Sequence, residues 1–250
     1  MPRFEPRIAI AALGASATAI TVARVLLGDA PDFSVAALPH DDAATRPLYF
    51  VFGAFAGLLA VGYNRALLAT MAVANGLSRW PVELRAGLVG AAVGVLAWLV
   101  PDLVGGGDAI TQGVLAGATS LAVIPAAFLI RFALGAVSYA AGTPGGLFAP
   151  MLVLGAQFGF LCGAACQALL PSLNIQPEGF AVVGMAAFFA GVVRAPITGL
   201  VLATEMTDSV SMLLPMLSAC AIAMVTPALT GDPPIYISLR ERSEPTEKGD

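Results

Sequence analysis

The stretch Gly142-Thr143-Pro144-Gly145-Gly146-Leu147-Phe148-Ala149-Pro150 interrupts an apolar sequence that runs up to it from Ser120 and away from it to Leu170. Glycine and proline at this density break a helix, and the flanks place the break inside a membrane. Hydrocarbon offers no partner to loose backbone N–H and C=O groups, so irregular backbone at that depth must be buried in protein or face a water-filled cavity. The helix that restarts after the break directs unpaired N–H groups and a partial positive charge into such a cavity. That is the chemistry of an anion site.

Composition agrees. Of 250 residues, 58% are hydrophobic and only 11% carry charge, against about 25% charged in ordinary soluble domains. Mean hydropathy is +0.86. A polytopic helical membrane protein follows. The net charge of −4 supplies no basic face, which excludes nucleic acid as the expected partner.

Little else suggests metal or redox chemistry. Cys162, Cys166 and Cys220 lie in apolar runs without a neighbouring ligand set, and read as small packing residues. His40, the single histidine, falls in the polar loop Pro39–Arg46 and is given no role. At the N-terminus, Arg3 and Arg7 precede an apolar run from Ile8 to Ala23 that contains Ala15-Ser16-Ala17. That pattern suits a cleaved leader. Apolar sequence continues through Arg24 to Leu27, which favours a retained transmembrane helix.

The apolar segments are Ile8–Leu27, about Leu48 to Gly76, Val82–Val100, about Leu121–Ala140, Leu147–Leu170, Gly179–Val193, Ile197–Thr207 and Met212–Leu229. A short small-residue piece, Gln112–Ala118, lies between the third and fourth. The second segment is too long for a perpendicular span and is expected to tilt. Several others fall short of the ~20 residues that a perpendicular crossing needs. Half-length and interrupted helices mark transporters and channels with ion sites at the midplane. Gly155, Gly159 and Gly163, spaced by four, suit close helix packing.

These residues also resemble a known family. Gly145-Gly146-Leu147-Phe148-Ala149-Pro150 is similar to the anion-site motif GxFxP of the CLC chloride channels and chloride/proton exchangers. Gly184-Met185-Ala186-Ala187-Phe188-Phe189-Ala190, then Arg194-Ala195-Pro196-Ile197-Thr198-Gly199 and Glu205-Met206-Thr207, resembles the family's late GMxAxxAxxxRAPxTGxxxxxEMT stretch. Pro233-Pro234-Ile235-Tyr236 resembles its last motif, and Gly105-Gly106-Gly107 also has a counterpart. The resemblance runs from about Arg7 to Arg242.

It implies an all-α polytopic membrane protein of the CLC fold, with broken and tilted helices. One inverted repeat plus the last helix of the other is expected, because two early family motifs have no match here. These are GSGIP, with its anion-coordinating serine, and GREGP or GKEGP, with its gating glutamate. The chain is therefore expected to be the C-terminal half of a subunit. Residues 1–234 would form the partial transmembrane domain, and 235–250 the last helix with a charged cytoplasmic tail. The tail's Arg240, Arg242 and Lys248 fit the positive-inside rule.

The resemblance further implies anion contacts at Gly146, Leu147, Phe148 and Tyr236. It implies chloride as substrate rather than cofactor, no enzymatic activity and no metal. It also implies a bacterial inner-membrane location and a homodimer through Ile8–Leu27, Ile197–Thr207 and Met212–Leu229. Tyr49, Tyr63 and Tyr139 fit the interfacial belt instead. Arg131, a charge inside an apolar helix, is a site candidate by default; its competing role is to hold helix-end carbonyls or a carboxylate. Arg194 and Glu205 are read as structural. Two other functions stay open: a transport-inactive fragment or assembly partner, and a broken-helix transporter for another small anion.

Overall fold

A computed structural model describes residues 6–28, 30–35, 44–76, 81–142 and 145–243. His40, Trp80, Thr143, Pro144 and Lys248 lie outside the described residues. The chain divides into two units, Met1–Asp32 and Phe33–Asp250. The first is one helix, α1 (Pro6–Leu27), whose 22 residues reach roughly 33 Å at 1.5 Å each. Its hydroxyls answer its own backbone: Thr18 donates to the Gly14 carbonyl at 2.9 Å and Thr21 to that of Ala17 at 2.8 Å. Each threonine hydroxyl is thereby satisfied within the helix and needs no partner from lipid.

The second unit holds α2 (Arg46–Gly76), α3 (Val82–Leu99), α4 (Asp108–Leu115), α5 (Ile124–Ala140), α6 (Phe148–Leu169), α7 (Pro177–Val193), α8 (Pro196–Thr207), α9 (Leu213–Leu229) and α10 (Ile235–Ser243). No strand occurs among the described residues. Five helices, α1, α2, α3, α6 and the stretch Val210–Leu229, are long and apolar enough to cross a bilayer.

At the centre stands α7, apolar all round and buried from Gly179 to Val192. A helix with no polar face belongs inside a bundle. It packs on α6 with backbone touching backbone. A Cβ on Gly184 would lie 2.2 Å from the Gly155 carbonyl oxygen, and one on Gly159 would lie 2.0 Å from that of Phe180. The spacing-by-four glycines are thus packing residues, as expected. Across α7, Gly53 and Gly57 of α2 meet the Ala219 and Ala223 carbonyls of α9 in the same way. Tyr49 stacks on Phe180 with ring centroids 4.7 Å apart. The ring of Tyr63 lies between Phe132, at 5.3 Å, and Phe188, at 5.6 Å, both edge-on.

Prolines set the helix starts. Pro177 and Pro196 open α7 and α8, where a missing N–H costs nothing. The seventh helix therefore begins two residues before the expected Gly179. Pro125 sits in the first turn of α5, so that helix starts at Ile124 and not at Leu121; the apolar residues 121–123 form a turn. Between α7 and α8, Arg194 takes a left-handed conformation with φ 64°. Its side chain stitches the break, Nε donating to the Gly191 carbonyl at 3.2 Å and Nη2 to the Asp232 carbonyl at 2.5 Å. Arg194 is structural, as its sequence context suggests, and Glu205 is exposed on α8.

Candidate anion site

The ladder of α6 begins where the Met151 N–H donates to the Leu147 carbonyl at 3.1 Å. Phe148 and Ala149 therefore have N–H groups with no intrahelical acceptor, and Pro150 has none to offer. No side chain caps this end. Leu147 is the cap residue and is 3% exposed, so its side chain pins the loop to the core. Gly145 and Gly146 are exposed, with nothing within 4 Å of where a Cβ would stand. The free donors thus adjoin open space.

That space is a cavity of about 220 Å³, whose wall includes Gly145, Gly146, Leu147, Arg131, Tyr139 and Gly105. Two of the expected contact residues, Gly146 and Leu147, line it. Phe148 supplies backbone at the helix start, while its ring turns to Phe189, edge-on at 5.6 Å. Tyr236 stands apart from the cavity wall, on the first turn of α10, and is 48% exposed. Burial raises its phenol pKa above the usual value, and Tyr139 adds to the effect. It stays a neutral hydrogen-bond donor across physiological pH.

Arg131 brings charge to the same wall. It is 5% exposed, and its guanidinium donates to the carbonyls of Leu103 and Gly105, each at 3.0 Å. The structural role is met, since Arg131 holds the carbonyl that ends the turn Pro101–Leu103 and that of Gly105, and the same side chain lines the cavity. Gly107, at φ 85°, lets the guanidinium in: a Cβ there would lie 2.5 Å from Nη2. Asp108 is within electrostatic reach, yet no carboxylate among the described residues pairs with Arg131. Its Nε has no protein partner. A buried cation without a counter-ion favours an anion nearby.

Tyr139 read from sequence as an interfacial tyrosine, and the structure moves it to the cavity wall. The signal was present in the spacing: Arg131, Gly135 and Tyr139 recur every four residues and share one face of α5. Cys162, Cys166 and Cys220 are free thiols. Among the described residues no cluster of His, Cys, Asp or Glu could hold a metal.

A family model for voltage gated chloride channels matches residues 1–227. The chain belongs to the voltage-gated chloride channel (CLC) family. It is 36% identical over 204 residues to the H(+)/Cl(-) exchange transporter ClcA of Vibrio parahaemolyticus, covering 80% of this chain and 44% of that protein. It is 33% identical over 227 residues to ClcA of Salmonella arizonae, covering 89% and 48%. The chain spans about half the length of the curated relatives it matches. Among solved structures, a slow cyanobacterial Cl-/H+ antiporter aligns with TM-score 0.82 and 28% identity, over 88% of this chain and 52% of that one. A CLC-type fluoride/proton antiporter aligns with TM-score 0.71 at 17% identity, over 91% and 55%, a likeness of fold alone. The all-α CLC fold expected from the motifs is the fold found, and the chain is a multi-pass protein of the bacterial inner membrane.

Proposed function

We propose that this chain carries the second-repeat half of an anion pathway, and that a small anion, chloride in the first place, binds at the start of α6. The N–H groups of Leu147 and Phe148 would contact it, Gly146 would leave room for it, and Arg131 would balance its charge. Tyr236 would supply a neutral hydroxyl from α10. The observation that carries this reading is the shared cavity wall: Gly146 and Leu147 at the start of α6 and the buried side chain of Arg131, which pairs with no carboxylate among the described residues, line one space. The names of the bacterial relatives support chloride/proton exchange as the process. An anion held by neutral donors and one fixed charge can enter and leave, as conduction requires.

We further propose that the working unit is a homodimer assembled through α8 and α9, and that the chain needs first-repeat partner helices, with their serine and glutamate, to transport. The decisive experiment is a bromide soak of crystals of this chain, followed through the anomalous signal. Density beside the Leu147 and Phe148 nitrogens is expected. Density at another helix start, with none here, refutes the assignment.

A further inference from the structure

A second cavity, also about 220 Å³, lies between the turn Pro101–Leu103, α4, α5 and α6. Its lining is mostly aliphatic, with Leu103, Ile110 and Ile124 among it; Asp102 and Thr119 add polar atoms, and Gln157 of α6 reaches into it. Gln157 is 0% exposed, and neither its Nε2 nor its Oε1 meets a hydrogen-bond partner in the protein. It is the one wall residue with a fully buried, wholly unanswered polar group. We propose that this cavity is a binding site for a hydroxyl-bearing neutral molecule, held by both ends of the Gln157 amide.

The chemistry of the amide selects the guest. Its nitrogen only donates and its oxygen only accepts. A cation would satisfy the oxygen and leave the nitrogen stranded; an anion would do the reverse. A hydroxyl donates and accepts, so it answers both. Apart from Asp102 and Thr119, the walls are aliphatic and add no further polar partner. The volume admits several waters at the roughly 30 Å³ each occupies in the liquid, or one short-chain alcohol. Methionine would fill a similar volume at this position without a buried polar group. Glutamine therefore has a use here only if something bonds to it.

The two sources of a hydroxyl, water and a small amphiphile, are separated by one experiment on the whole chain in detergent micelles. With side-chain 15N label on glutamine and Gln157→Met as the assignment control, cross-relaxation from bulk-exchanging water to the Gln157 amide protons is measured, then repeated with added 1-propanol. A water cross-peak that 1-propanol leaves unchanged establishes water as the guest. A water cross-peak replaced by one to the propanol methylene establishes the amphiphile. Absence of both overturns the proposal, as does a crystal structure in which Gln157 turns to bond Asp102 or Thr119. Gln157→Met should abolish the cross-peaks and leave the bromide density at α6 in place, so that this site and the anion site fail independently.

Discussion

The Asn64 amide donates to the Asp232 carboxylate at 3.0 Å, joining the middle of α2 to the turn before α10 across 168 positions of sequence. Both residues are buried, and Arg65 adds a contact at 3.5 Å from a side chain that is 64% exposed. Because the Asp232 carbonyl also receives Arg194, this turn fixes where α10, and hence Tyr236, begins.

Asp232→Ala is expected to destabilise the fold by about 1.5–3 kcal/mol, the range for a buried hydrogen bond to a charged group. Arg65→Ala should change stability by no more than about 0.5 kcal/mol, since its pair is solvent-screened. Thermal unfolding of both variants in the same detergent tests the ranking. Equal effects would show that the ion pair, and not the buried amide contact, holds the turn.

Gly184→Ala should be far more damaging than its size suggests. Its methyl would stand 2.2 Å from the Gly155 carbonyl oxygen, so α6 and α7 must separate, at a cost of about 2 kcal/mol or more. Gly94→Ala on α3 meets nothing within 4 Å and should be neutral or stabilising by up to about 1 kcal/mol. If the two variants unfold at one temperature, the close approach of α6 and α7 is wrong.

Replacing Phe148 by its hydroxy-acid analogue exchanges the N–H for an ester oxygen and keeps the ring against Phe189. Losing one N–H donor to an anion should weaken bromide binding about tenfold or more. Calorimetry on the purified chain reads this directly. Unchanged affinity removes the Phe148 nitrogen from the site.

The expected dimer makes Leu217, 54% exposed on α9, and Leu214, 50% exposed, candidates for contact with a second subunit. Leu217→Trp should shift the mass in detergent from dimer to monomer. A dimer unaffected by Trp at both positions would mean that α9 faces lipid.

Reconstituted by itself, this 250-residue chain should show no selective chloride flux and no chloride-driven proton movement, because its donors form only part of a shell around the anion. Flux through the chain alone, lost when Gly145–Pro150 is altered, would overturn the half-pathway reading.

Local signals made much of this legible. The Gly/Pro break before α6 and the glycines spaced by four act over a few residues, and each landed where the sequence placed it; Pro177 and Pro196 moved the starts of α7 and α8 ahead of the expected Gly179 and Ile197. Apolar composition alone misjudged residues 121–123, since hydropathy does not distinguish a turn from a helix inside a membrane; Pro125 was the better guide. The long-range pairings were not legible. Nothing near Arg131 announces that its partners are the carbonyls of Leu103 and Gly105, and nothing near Asn64 points to Asp232. Tyr139 needed the face of α5, and Gln157 needed its neighbours, before either became more than a residue in an apolar run.

The backbone contact between α6 and α7 has a mechanical consequence. Side chains between helices can change rotamer and let the helices slide, but a carbonyl pressed on a glycine cannot yield. The pair therefore behaves as one stiff beam with the free N–H groups of the α6 start fixed at its end. Backbone freedom is left at one end of that beam, just before Leu147 and at the left-handed Arg194, where the two helices are broken.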